Sequence, residues 1–390
     1  MTVFLSNDDV TGLITAEEVI DILELTYLQV AERQAVCRPR FDMQIPTSDP
    51  KRIFQWGTME GGSTAGYFAI RMKSDVLYER EYNGASTQEQ YCVEPGKFCG
   101  LIFLLRVNNG EPLALINDGV IQHLRVGADG AIGVKHMARK DAAVVGMLGS
   151  GGMARSHMET LMIVRPGLKR LQVYSPTPAN REKFGQDVRD KYGIEVVVCD
   201  NPRDVYRGAD IVAALTDSAV TVLNGDWIEK GTHILSVGGG SGRPDDATLQ
   251  KVDRYMRFGR APAPFGLPEM QIDDEFIAYR ADPEGCTSFT MKRSGKRGHG
   301  ILLPDRMVTL EQAIQDPRKA RGSDDEITYS ERGNLQGSQF FPLAGMAYER
   351  RWRWGAASKS RRACSCRILE TEPEKLNAAS SSIPMKTLID

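Results

Sequence analysis

Val144-Val145-Gly146-Met147-Leu148-Gly149-Ser150-Gly151-Gly152-Met153-Ala154 reads as strand, turn and helix start in immediate succession. An apolar run with strand character ends at Gly149-x-Gly151-x-x-Ala154, and Arg155–Ile163 continues in helix-compatible residues. Each position has a mechanical use. Gly149 permits the tight turn, Gly151 lets backbone approach a pyrophosphate, and Ala154 keeps the helix close to the sheet. The N–H groups then exposed at Gly151, Gly152 and Met153 face an anion. A glycine pattern of this kind also describes a turn with no ligand, so its setting decides its weight.

That setting is an α/β alternation. Strand candidates follow at Ala142–Leu148, Leu171–Tyr174, Glu195–Cys199, Ile211–Leu215, His233–Val237 and Arg254–Phe258, separated by helical or loop stretches. Strands spaced this way predict a parallel sheet with crossover helices, and the glycine turn stands at its first strand-to-helix junction. Upstream the pattern differs. Thr15-Ala16-Glu17-Glu18 is a capping box opening a helix with an apolar stripe of Val19, Ile22, Leu23, Tyr27 and Val30. Between Ile53 and Glu111 the runs Tyr67–Met72 and Leu101–Val107 read as strands, the second closing at the hairpin turn Asn108-Asn109-Gly110. Tyr78–Gly96 is polar and aromatic without a period and reads as a long functional loop. Downstream, Ala261–Pro268 and Lys292–Gly300 are rich in Pro and Gly, and Gly337–Arg350 is a further helical candidate. The expected fold class is α/β: a Rossmann-type doubly wound parallel sheet beside a smaller α+β part.

Composition fits this reading. At 390 residues the chain allows two domains of about 150 residues and a remainder. With 41% hydrophobic and 26% charged residues it has the makings of a sizeable core. No apolar run approaches the roughly 18 residues of a membrane span, and Met1–Val10 lacks the pattern of a secretory signal, so a cytoplasmic protein is expected. Seven cysteines offer no disulfide framework, and His136, His157, His233 and His299 have no metal-ligand spacing, so no metal is expected. A net charge of −2 argues against bulk polyanion binding but hides an asymmetry. Residues 351–390 hold eight Lys/Arg against four Asp/Glu, leaving −6 for residues 1–350. The tail mixes Arg351-Trp352-Arg353-Trp354 with Cys364 and Cys366 and lacks an apolar period; low order, and no nucleic-acid partner, is expected there.

The second strand addresses the choice of nucleotide. An NAD-selective site usually ends that strand with a carboxylate for the ribose 2′-OH, whereas Tyr174-Ser175-Pro176-Thr177 has none. Ser175, Thr177 and Arg181 offer partners for a 2′-phosphate instead, which favours NADP over NAD.

With these residues in hand, the chain resembles the ornithine cyclodeaminase/mu-crystallin family over roughly residues 1–350. The likeness rests on Gly149–Ala154, on Leu124-Arg125-Val126-Gly127-Ala128, on Leu215-Thr216-Asp217-Ser218 and on Gly231-Thr232-His233-Ile234-Leu235-Ser236-Val237-Gly238-Gly239. The resemblance implies a homodimer. A substrate-binding and dimerisation domain, residues 1–125, would be completed by a C-terminal helix at about 330–350, and a Rossmann domain, residues 126–329, would hold NAD(P). It also implies site residues. Arg40 and Arg125 match the family's carboxylate-binding arginines, Lys73 matches the lysine beside the reacting carbon, and Thr216, Ser218, Val237 and Gly238 line the nicotinamide side. Planar guanidiniums and a movable ammonium suit a small carboxylate substrate.

Two departures bear on the activity. Cyclodeaminases carry an Asp directly after the Gly-Gly pair, where this chain has Gly240, with Asp245 and Asp246 a few residues on. Related proteins also often place an acidic pair where Gly337 and Ser338 stand. The expected function is therefore an NAD(P)H-dependent oxidoreductase acting on a small amino or imino acid, as an amino-acid dehydrogenase or ketimine reductase. An ammonia-lyase of the ornithine cyclodeaminase type, with cofactor-internal redox, and a non-catalytic NADP-dependent binder are the alternatives. His123, two residues before Arg125, is a further candidate for proton relay.

Overall fold

The computed structural model describes residues 2–237, 244–281 and 300–351, all within one compact unit. Along the chain its principal elements are β1 (Val3–Leu5), α1 (Asn7–Val10), α2 (Ala16–Ala31), β2 (Ala35–Cys37), β3 (Arg40–Pro46), β4 (Arg52–Ser63), β5 (Tyr67–Tyr82), β6 (Ala85–Tyr91), β7 (Cys99–Arg106), β8 (Pro112–Asn117) and α3 (Gly119–Met137). There follow β9 (Val144–Leu148), α4 (Gly152–Val164), β10 (Arg170–Tyr174), α5 (Pro178–Tyr192), β11 (Glu195–Val198), β12 (Ile211–Ala214), β13 (His233–Ser236), α6 (Asp246–Lys251) and β14 (Arg254–Arg257). The chain continues through β15 (Phe276–Arg280), β16 (Met307–Thr309), α7 (Leu310–Gln315), α8 (Pro317–Ala320), β17 (Thr328–Glu331) and α9 (Phe340–Arg350).

The second half forms an all-parallel sheet in the order β11-β10-β9-β12-β13-β17-β14-β16. Strand order reverses between β9 and β12, which makes a crevice outside their carboxyl ends, the place where doubly wound sheets bind ligands. The six strands expected from sequence are all present; β17 is inserted between β13 and β14, and β16 extends the sheet past β14.

The first half is a mixed sheet, β1-β8-β7-β5-β4-β3-β15, with β2 on β4 and β6 on β5. The turn at Asn108-Asn109-Gly110 joins β7 to antiparallel β8. One expectation is corrected here: Tyr78–Gly96 is no loop over most of its length. β5 runs on to Tyr82 and returns as β6 after Asn83-Gly84, both at positive φ, forming an arm. Its strand β6, Ala-Ser-Thr-Gln-Glu-Gln-Tyr, covers no apolar core, so it shows no apolar alternation. β15 leaves the second half of the chain to pair in parallel with β3 at the edge of this sheet.

Helix α2 opens with the expected box, Thr15 Oγ1 accepting from Glu18 N–H and the Glu18 carboxylate from Thr15 N–H. It packs with α9 and the inner face of the first sheet around Leu23, Tyr27, Ile102, Leu104, Phe340 and Leu343. Helix α3 serves both halves: Ala128, Ala131 and Ile132 enter this core, while Val134 joins the second core with Val145, Met147 and Leu161. The C-terminal helix starts at Phe340, after a 3-10 turn over Gln336–Gln339. That turn fixes Gly337, since a Cβ there would lie 2.0 Å from the Glu60 carbonyl oxygen, so the position admits no acidic side chain. No helix among the described residues is long and apolar enough to cross a membrane.

Candidate functional site

Lys73 sits in the middle of β5, in register with Gly57 of β4, which in turn faces Asp42 of β3. Side chains two apart on a strand share a face, so Arg71, Lys73 and Asp75 point the same way. Lys73 Nζ lies 2.5 Å from the Asp75 carboxylate and donates to Gln90 Oε1 of β6 at 2.7 Å. Burial, together with the nearby guanidiniums of Arg40 and Arg71, brings its pKa down to about 8, against the opposing pull of Asp75. Arg40, half-buried at the start of β3, pairs with Asp42 at 2.6 Å and lies over the ring of Phe276 from β15.

Arg125 reaches the same region from α3. It is 6% exposed, and its hydrogen bonds run to neutral amide oxygens: Nε and Nη2 to Gln122 and Nη1 to Gln339 at 2.8 Å. Burial and the Arg332 guanidinium press its pKa down, the direction expected of a buried cation short of negative charge. Arg125 and Arg71 share the Phe340 ring, each guanidinium within 6 Å of its centroid.

Several residues here escaped the sequence reading. Arg71 donates from Nε and Nη2 to one oxygen, Oδ2, of Asp118 at 2.8 and 2.5 Å, and its place two residues before Lys73 on a strand was the available signal. Gln339 donates to Asp129 and to the Tyr27 hydroxyl, and Arg332 pairs with Asp129 at 2.8 Å. A polar cluster inside an apolar helical stripe leaves no mark on the periodicity.

The glycine turn fits a dinucleotide. Gly149 adopts φ +120°, and a Cβ there would strike the Leu215 carbonyl oxygen at 2.2 Å. Gly151, the residue preceding α4, opens on space: a Cβ built there meets nothing within 4 Å. Gly152, Met153 and Ala154 form the first turn of α4, and Ala154 is fully buried against the sheet. A backbone cradle without side chains at a helix N-terminus is what a pyrophosphate needs. His123 stands beside Gly152, its Nδ1–H donating to the Gly119 carbonyl at 2.8 Å.

At the end of β10, the Ser175 hydroxyl meets that of Ser150 at 2.8 Å. Thr177 precedes α5 and receives a bond from Asn83 of the arm at 3.2 Å. Arg181 is buried and braces this corner, donating to the Ser175 carbonyl and pairing with Asp200 at 2.5 Å. Thr216 and Ser218 shape the loop after β12 through Ser218 N–H to Thr216 Oγ1 at 3.1 Å. Val237 follows β13 and lines a cavity of about 40 Å3 with Val126, Gly130, Phe258, Tyr329 and Arg332. Gly238, Gly240 and the tail from residue 352 lie outside the described residues. Asp245 caps α6, accepting from Thr248 and Gly225 N–H groups.

Fold and crevice together define a Rossmann-type α/β protein with a second, mixed sheet that carries a cluster of cationic side chains. Residues 82–255 match the model of the ornithine cyclodeaminase/mu-crystallin family. The chain is 30% identical over 139 residues to a Delta(1)-pyrroline-2-carboxylate reductase of Bacillus cereus, covering 36% of this chain and 42% of that protein. It is 30% identical over 177 residues to the ketimine reductase mu-crystallin of Rattus norvegicus, covering 45% and 51%. These matches therefore span about half or less of each relative. Among solved structures, a Thermococcus litoralis Delta(1)-pyrroline-2-carboxylate reductase in complex with NADH and L-proline superposes with a TM-score of 0.64 at 22% identity, over 90% of this chain and 98% of that one.

Proposed function

We propose that the protein is an NAD(P)H-dependent oxidoreductase that reduces the C=N bond of a small imino acid. The observation that carries this reading is Arg125, a buried guanidinium bonded to neutral amides, on the same cluster as Lys73 and Arg40. A buried cation whose hydrogen bonds reach only neutral amides, with the Asp129 carboxylate engaged by Arg332, is costly unless an anion completes it, and a substrate carboxylate does so. Arg40 provides a second guanidinium, and Lys73 provides a proton close to its working pH.

When bound, the reduced nicotinamide supplies a hydride to the imine carbon while the nitrogen takes up a proton, giving an amino acid and the oxidised cofactor. The chain's own part is to orient the carboxylate between Arg125 and Arg40, hold Lys73 protonated beside the reacting group, and keep water out. Gly149–Ala154 would cradle the pyrophosphate, with Thr216, Ser218, Val237 and Gly238 toward the nicotinamide. Ser175, Thr177 and Arg181 at the adenosine end favour NADP. Residues 1–125 with about 330–350 would form the substrate and dimerisation domain, and 126–329 the cofactor domain. Val36, Met43, Ile45 and Tyr279, exposed on the first sheet, support a homodimer through that face, which light scattering of the purified protein measures.

Purified protein is mixed with NADPH or NADH and a panel of cyclic imino acids, following loss of reduced-nicotinamide absorbance. Turnover of at least one imino acid is expected. Tight NADPH binding without turnover would instead identify a binder, and ammonia release from ornithine without net cofactor consumption would identify a lyase.

A further inference from the structure

The β5–β6 arm does more than extend a sheet. Its second strand touches both halves of the proposed site. At one end, Gln90 Oε1 accepts the hydrogen bond from Lys73 Nζ at 2.7 Å. Two residues earlier, Gln88 N–H donates to the Asp217 carbonyl at 3.0 Å, and Ala219 N–H donates to the Ser86 carbonyl at 2.7 Å, with Thr87 bridged to Ser218. At the tip, Asn83 donates to Thr177. The arm thus spans the loops that follow β10 and β12, which flank the crevice at the reversal of strand order.

We infer that Gln90 is a positioning residue for Lys73, and that β6 couples this placement to the dinucleotide crevice by latching onto the Asp217–Ala219 loop. The inference rests on the proposed reading of Lys73 and the glycine turn. Its physical content is direct. Lys73 carries a flexible stem, and two acceptors, Asp75 and Gln90, fix its ammonium. Asp75 belongs to Lys73's own strand, whereas Gln90 belongs to a strand held from the other sheet. A shift of the Asp217–Ala219 loop on filling the crevice is transmitted along four residues of extended backbone to Gln90. Lys73 is then presented differently in the empty and filled protein.

The test reads Lys73 without relying on turnover. The full chain is pulse-labelled with acetic anhydride across a pH series, with and without saturating NADPH, and Lys73 acetylation is quantified by mass spectrometry. Loss of the acceptor in Gln90→Leu destabilises the ammonium, so the labelling midpoint is expected to fall by about half a unit or more, while Gln90→Glu raises it. Identical midpoints in all three proteins would overturn the positioning role.

Gln88→Pro tests the latch. The Gln88 N–H points away from β5, so proline removes the bond to Asp217 and no bond of the β5–β6 ladder. The expected result is a labelling midpoint like the wild type without NADPH, and loss of a severalfold NADPH-dependent change in labelling that the wild type shows. A wild type that binds NADPH, by fluorescence titration, yet shows no such change overturns the coupling. A wild type that binds neither NADPH nor NADH overturns the functional reading itself, while the Gln90 comparison still stands or falls on its own.

Discussion

Arg125 and Lys73 divide the work of the cluster by their surroundings. Arg125→Met removes a buried, charge-assisted contact worth about 2–3 kcal/mol, so kcat/KM toward an imino acid is expected to fall by about 30- to 150-fold, most of it in KM. Steady-state kinetics checks it. Lys73 gives a pH signature: burial and its cationic neighbours lower its pKa to about 8, so the ammonium is present below that value and lost above it. If the ammonium donates the proton, kcat/KM falls as pH rises through about 8, and Lys73→Met abolishes this limb with a loss on the order of a hundredfold or more. Gly149→Ala faces both φ +120° and the Leu215 carbonyl, so it is expected to cost NADPH affinity and stability together, as titration and thermal melting report. At this scale the sequence was readable where chemistry is local. Glycine spacing and the Thr15–Glu18 box depend on residues three or four apart. The pairings of Arg71, Asp129 and Gln339 were not readable, because their partners are 47, 203 and 214 positions away and only the fold brings them together.

Helix α9 closes the first half. Phe340 is fully buried and packs against the guanidiniums of both Arg71 and Arg125, so Phe340→Ala is expected to cost about 3–5 kcal/mol in chemical denaturation and to loosen both cations. Arg350 ties the helix to α2 by a two-pronged contact with Glu18 at 2.8 Å. The Arg350 contact and the Thr15 backbone bond hold the Glu18 pKa down to about 2 from 4.5. A lowered carboxyl pKa stabilises the fold above the unfolded value and ceases to do so as pH falls through the folded one. The melting-temperature difference between wild type and Arg350→Met should therefore be full near neutrality and shrink between pH 4.5 and about 2. Strands β9 to β14 were legible because buried parallel strands are apolar runs. β6 and β17 were not: one covers no core, and the other, Thr-Tyr-Ser-Glu, is a buried strand made largely of polar residues.

Across the whole molecule, the two sheets are not two beads on a string. Strand β15 is encoded after six strands of the parallel sheet and yet completes the edge of the mixed one, beside Arg40. A chain cut near residue 125 would lack both this strand and α9, leaving β3 with bare backbone along one side and Arg40 on an unprotected edge. The gene therefore offers no clean cut between a mixed-sheet cassette and a parallel-sheet cassette. Recombination that swapped either segment alone would have to replace the interleaved strand as well.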